Sequence, residues 1–139
     1  MTQRNIHGGH EFHFEKNLLI GRSWGAWNDE AIILYGNLWK AEVGKKGFKY
    51  WGYCVDVREW ELATPSAIDL IFTLTDWCNK HGGIFSGNIV SNIVTDHVIT
   101  DEHNKREYEH ENRTFTNEQE CLKWCRAKAE HWNQYNIVP

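Results

Sequence analysis

The chain opens on a period of two. In His10-Glu-Phe-His-Phe-Glu15, Phe12 and Phe14 take alternate places, and beyond Lys16-Asn17 the run Leu18-Leu-Ile20 is continuously apolar. Alternation, a short turn and a second apolar run predict an N-terminal β-hairpin. Gly21-Arg-Ser-Trp-Gly-Ala-Trp27 reads as a Gly- and Trp-rich connection. From Asn28 the period becomes helical. Asn28 suits an N-cap, Asp29 and Glu30 sit where the helix dipole favours acids, and Ala31, Leu34, Tyr35, Leu38 and Trp39 recur at helical spacing. The pattern fades at Val43, and Gly44-Lys-Lys-Gly47 ends the helix.

Tyr50-Trp-Gly-Tyr-Cys-Val-Asp-Val57 is apolar enough for a buried strand, and Arg58 to Ala63 then reads as a short loop carrying Trp60. Thr64 is placed to cap a second helix with Pro65 at its first position, where the missing N–H costs nothing. Ala67, Ile68, Ile71, Phe72, Leu74, Thr75 and Cys78 form its apolar face, and His81-Gly82-Gly83 stops it. Ile84–Val90 is a further short strand. Residues 91–113 combine a brief apolar stretch with a charge-rich run, read as a short helix or irregular segment followed by a solvated loop or exposed helix. Thr114-Phe115 is a brief extended piece, and Thr116-Asn-Glu-Gln119 has the form of a capping box. The closing helix carries Cys121, Leu122, Trp124, Cys125, Ala129 and Trp132. The order predicts a single α/β domain over 1–139, a sandwich on a mixed, partly parallel sheet, with 1–8 and 133–139 frayed.

Composition narrows the function classes. The chain has 139 residues, 41% hydrophobic and 24% charged, with eight Trp, so large rings must fill the core or line a groove. A net charge of −4 with mixed signs supplies no basic stripe for a phosphate backbone, which argues against nucleic acid as a partner. No apolar run approaches membrane-spanning length and no signal-peptide core is present, so a cytoplasmic protein without stable membrane insertion is expected. Cys54, Cys78, Cys121 and Cys125 fall on core positions and are read as reduced, structural thiols. His7, His10 and His13 make a poor metal site, because His10 and His13 face opposite sides of one strand. No cofactor is expected.

The strand, loop and Thr-Pro helix start form the type of junction at which open α/β sheets bind their ligands. Around it gather Asp56, Glu59 and Glu61, the hydroxyls of Thr64 and Ser66, and the indoles of Trp24, Trp27 and Trp60. Thr64 is first a helix cap; a phosphate on Thr64 or Ser66 would also be welcome at a helix N-terminus. The carboxylates read as a solvated acidic loop, since no nucleophile, oxyanion site or metal completes a mechanism with them. The tryptophans could form a contact surface or the lip of a pocket.

With Trp60, Glu61, Leu62 and Thr64-Pro65 after the third strand, a helix rich in Ile and Leu and a closing helix, the chain resembles small uncharacterised bacterial proteins. These have the STAS or anti-sigma-factor-antagonist fold, also called SpoIIAA-like, and the resemblance spans residues 8–130. In regulatory members of that fold a strand ends in Asp and the next helix begins with a Ser or Thr that a partner kinase phosphorylates. Asp56, Thr64 and Ser66 fall near those places, although the Asp-Ser-Ser/Thr-Gly pattern is replaced by Ala63-Thr64-Pro65-Ser66. The resemblance implies a non-enzymatic signalling domain that binds a protein partner, with Thr64 the candidate for phosphorylation, and the apolar surface left over on so aromatic-rich a chain suits a homodimer. The alternative is a small-molecule or lipid binder with a pocket near the Trp-rich loops.

Overall fold

The computed structural model describes residues 7–61, 64–91 and 110–136. Strands β1 (Gly9–Glu15), β2 (Leu18–Ala26), β3 (Trp51–Glu61), β4 (Gly83–Ile89) and β5 (Glu111–Phe115) form one sheet in the order β1-β2-β3-β4-β5. The β1–β2 hairpin is antiparallel and every other neighbouring pair is parallel. Helices α1 (Asp29–Lys46) and α2 (Pro65–Lys80) make the crossovers that parallel neighbours require, and α3 (Glu118–Asn133) follows β5. This is the predicted α/β sandwich on a mixed sheet.

Strand alternation divides the core in two. Trp51, Tyr53, Val55 and Val57 of β3 face α1 and α2, together with Leu19, Trp39, Val43 and Cys78. Cys54, Leu18, Phe85, Ile89 and Phe115 face α3, where they meet Cys121, Cys125 and Ala129. The turn between β1 and β2 is tied into this second layer. Asn17 is 1% exposed, and its Nδ2 donates to the carbonyl of Ala129 at 3.0 Å.

Several boundaries differ from the sequence expectation. Residues 21–26 are not a connection but the second half of β2, because β1 and β3 supply ladder partners on both sides, Gly9 for Trp24 and Glu61 for Ala26. For the same reason β3 does not stop at Val57. It runs to Glu61, with an irregularity where Arg22 pairs with Asp56 but Trp24 with Glu59. The extra residue on β3 turns Trp60 onto the α1–α2 side.

Helix α1 is rotated from the expected face. Ala31, Ile32, Gly36, Trp39 and Val43 are buried, whereas Leu34 and Leu38 are 37% and 47% exposed. Apolar residues surround this helix almost evenly, and tertiary packing chooses among the faces: Gly36 lies against the side chain of Leu74. Asn28 caps α1 as expected, and the helix continues to Lys46 before Gly47, at φ 64°, closes it with a bond to the carbonyl of Val43.

The last helix is capped by Asn117, whose side chain accepts from the N–H of Glu120 at 3.0 Å, and not by the Thr116 box. Asn117 has the extended backbone a cap needs and is among the best residues for that position. Glu111 to Arg113, read as the end of a solvated loop or exposed helix, belong to β5.

Within the stretches expected to fray, Gly8 and Asn136 make hydrogen bonds to the rest of the domain. The Tyr35 hydroxyl donates to the carbonyl of Gly8, and the Asn136 side chain both accepts from the N–H of Tyr50 and donates to its carbonyl, each at 2.7 Å. The expectations for residues 1–6, 62–63, 92–109 and 137–139 fall outside the described residues. No helix among the described residues is long and apolar enough to cross a membrane.

Candidate functional site

The face of the sheet beneath α1 and α2 is not filled by the side chains of the described residues. A cavity of about 140 Å³ lies there, close to the size of an apolar void that admits a benzene-sized molecule. Its floor is formed by Tyr53, Val55 and Val57 of β3, and its walls by Ile32, Trp39, Ile68, Ile71 and Leu74 of the two helices. Trp27 and Trp60 line it as well, their rings edge to face with centroids 6.3 Å apart.

Polar groups reach this apolar space from both flanks of the sheet. From β1 and β2 come His10 and Ser23, and from β4 and β5 come Ser86, Asn88 and Asn112. Asn112 Oδ1 accepts from Ser86 Oγ at 2.7 Å and from Asn88 Nδ2 at 2.8 Å, so that flank is internally paired. Trp39 Nε1 donates to His10 Nε2 at 2.8 Å, which places the imidazole proton on Nδ1, 2.8 Å from Ser23 Oγ. Burial drives the His10 pKa down to about 4, against the opposing pull of a hydrogen bond to the Arg22 backbone and of Glu11. The ring is therefore neutral near pH 7. One donor remains unmatched: Trp60 Nε1 is buried and has no hydrogen-bond partner among the described residues.

The residues singled out from the sequence divide among three places. Trp27 and Trp60 border the cavity. Trp24 points to the other side of β2, where its ring covers Gly9 and lies 4.5 Å from the Arg22 guanidinium. Asp56 and Glu59 are also away from the cavity. Arg58 grips Asp56 at 3.0 and 2.6 Å and reaches toward Glu118, while Glu59 pairs with Arg22 at 2.9 Å. Burial works to raise the Asp56 pKa, but hydrogen bonds and charge from Arg58 outweigh it and hold the carboxyl below its ordinary value. Glu61 is exposed at the end of β3.

Thr64 and Ser66 make the third group. Thr64 Oγ1 accepts from the N–H of Ala67 at 3.2 Å, the capping role expected of it. Ser66 Oγ donates to Asp29 Oδ1 at 2.8 Å, and Thr64 Oγ1 is 3.5 Å from the same oxygen. The first turns of α1 and α2 thus meet through a carboxylate and two hydroxyls.

Sequence reasoning missed two elements of this arrangement. His10 is part of the cavity wall because alternation along β1 puts it with Phe12 and Phe14, a signal present in the sequence but read only as evidence against a metal. Cys54 Sγ lies 3.3 Å from Cys121 Sγ and, with Cys125, forms a buried trio; nothing in their spacing reveals that a strand thiol meets the helix pair.

Layer order, strand order and the positions of the crossovers define a SpoIIAA-like α/β domain. No protein-family model matches the chain, and no curated protein matches it in sequence. Solved structures do. A protein of the DUF3478 family from Shewanella loihica PV-4, described as having a SpoIIAA-like fold, superposes with a TM-score of 0.70 at 12% identity, over 85% of this chain and 94% of that one. The anti-sigma factor antagonist SpoIIAA in its unphosphorylated form gives 0.63 at 8% identity, over 85% and 98%. An anti-sigma factor antagonist from Mycobacterium paratuberculosis gives 0.58 at 8%, over 86% and 94%. At these identities the likeness is one of fold.

Proposed function

We propose that this chain is a non-enzymatic binding domain that holds a small apolar or aromatic ligand, bearing one hydrogen-bond acceptor, between α1, α2 and the sheet. The carrying observation is the apolar cavity that Trp60 helps to line, beside a buried Trp60 Nε1 that has no hydrogen-bond partner among the described residues. Apolar walls supply affinity through burial, and an acceptor that satisfies Trp60 removes the cost of a buried, unmatched donor. A neutral His10 with both nitrogens engaged fits a wall residue better than a proton shuttle.

Benzaldehyde and toluene, similar in size but with and without an acceptor, test this. Benzaldehyde is expected to bind the tighter by roughly 1 kcal/mol, the usual worth of one hydrogen bond. It should also shift the Trp60 indole N–H resonance in an NMR titration. If neither compound moves that resonance at millimolar concentration, the cavity is not a binding site of this kind.

A regulatory, protein-binding role is the second reading, favoured by the exposed Thr64–Ser66–Asp29 cluster at the helix starts. The solved SpoIIAA structures include a phosphorylated form. A phosphate on Thr64 or Ser66 here would bring about −1.5 to −2 charges against the Asp29 carboxylate and push the starts of α1 and α2 apart. On this reading the protein works in the bacterial cytoplasm, as a homodimer or with a protein partner on the outer face of α1, where Ile33, Leu34 and Leu38 are exposed. Thr64→Glu and Thr64→Ala proteins used as bait should retain different partners; identical partner sets would remove the switch.

A further inference from the structure

Cys54 stands on β3 facing α3, where Cys121 and Cys125 occupy successive turns of one helical face. Their three Sγ atoms all lie within 4.8 Å of one another, with Cys54 and Cys121 3.3 Å apart. All three are free thiols with no more than 1% exposure. Gly87 of β4 makes the space for them. A Cβ at that position would fall 2.6 Å from Cys125 Sγ and 2.7 Å from Cys121 Sγ. Buried cysteines ordinarily pack as small hydrophobes. Here three converge from two elements far apart in sequence onto one point over a glycine.

The spacing suits one central ion. Three sulfurs each about 2.3 Å from a metal would stand roughly 3.8–4.0 Å apart, inside the observed span. The surroundings decide which ion. Phe85, Ile89, Phe115 and Ala129 complete the layer, and the neighbouring carboxylate, Asp56, is taken by Arg58. Zinc seeks a fourth ligand or a water, and among the described residues no further His, Cys, Asp or Glu joins the three sulfurs. Thiolates select soft ions, and among them copper(I) is satisfied by three.

We propose that Cys54, Cys121 and Cys125 form a three-sulfur site for a soft monovalent cation, copper(I). Two Cu–S bonds form at the expense of two S–H bonds, whose protons leave to solvent, and the third sulfur completes the triangle as a neutral donor. Copper enters and stays as Cu(I), so no electrons are exchanged. The site then carries a single negative charge, the least that two thiolates allow in so apolar a layer. Because the thiols are covered by α3, loading accompanies folding or a local opening of that helix from the sheet.

The reduced protein, refolded under anaerobic conditions with a copper(I)–acetonitrile salt and then challenged with a chromophoric Cu(I) chelator, should retain one copper per chain. Cys54→Ala and Cys125→Ala should each weaken retention by more than the roughly 10–100-fold that loss of an outer-shell partner costs. Cys78→Ala, which removes a thiol on the other side of the sheet, should leave the stoichiometry at one. X-ray absorption on copper-loaded wild-type protein should show three sulfur neighbours, a readout that needs no variant to fold. Failure of the wild-type chain to retain copper overturns the proposal, as does equal retention by Cys54→Ala. Nitrogen or oxygen in the first coordination sphere, or zinc(II) held in preference to Cu(I), would overturn it too.

Discussion

Trp51→Ala is expected to lower folding stability by about 3–5 kcal/mol, the range for truncating a large buried aromatic side chain. Trp51 is 0% exposed and begins β3, the central strand. Its ring packs edge to face on Phe14 and tilted on Tyr53, with centroids 6.5 and 5.9 Å away. Its Nε1 donates to the carbonyl of His81 at 2.9 Å, which fastens the end of α2 to the start of the strand. Truncation therefore opens a void and leaves that carbonyl without its donor. Against the 5–15 kcal/mol typical of a folded domain, the loss removes a large share of the total. Urea unfolding followed by circular dichroism measures it. Trp51→Phe, which retains most of the volume but not the N–H, should recover more than half of the deficit. A loss below about 1 kcal/mol for Trp51→Ala would mean that the core does not depend on this ring.

The second large effect is acid sensitivity through His10. Its pKa is lowered from 6.5 to about 4 in the folded protein, chiefly by burial. In the unfolded chain it titrates at its ordinary value, so between those two pH values the unfolded state binds the extra proton. Stability from this group is complete above about pH 6.5 and is lost progressively as pH falls toward about 4, a total of about 3 kcal/mol. Protonating His10 also removes the acceptor that Trp39 Nε1 uses, so charge and hydrogen bonding fail together. His10→Gln keeps an acceptor but cannot be charged. Urea midpoints at pH 7 and pH 4.5 should differ much less for His10→Gln than for the wild type, and equal shifts in the two proteins would refute the assignment.

The fold was legible where one residue type dominates a local choice. Asn28, Thr64 and Pro65 start helices because capping depends on a hydroxyl or amide next to free N–H groups, and Gly47 ends one because its φ is positive. The alternation through Phe12 and Phe14 and the apolar run through Val57 announced β1 and β3. What escaped was non-local. Gly21–Ala26 has little intrinsic strand preference and becomes a strand because β1 and β3 flank it. The face of α1 was misread because Ile33, Leu34 and Leu38 are as apolar as the residues that are buried, and packing against Leu74 selects between them.

The candidate site follows the same division. Trp27, Trp60 and Ile68 were recognisable as aromatic and apolar residues near a strand–helix junction, and they do border one cavity. Trp24, Asp56 and Glu59 share that neighbourhood in sequence but point to the opposite face, since neighbouring strand positions alternate and one irregularity in β3 changes the phase.

By itself, the sequence determined the starts of α1 and α2, the alternation along β1, the apolar stretch of β3 through Val57, and the capping role of Thr64. Those properties depend on neighbours within a few residues along the chain. Only the tertiary structure decided that the described side chains leave a cavity beneath α1 and α2, that the Trp60 N–H has no partner among the described residues, and that Cys54 meets Cys121 and Cys125. Each of these depends on how side chains from distant segments fill, or fail to fill, a shared space, and residue spacing along a chain carries no record of that.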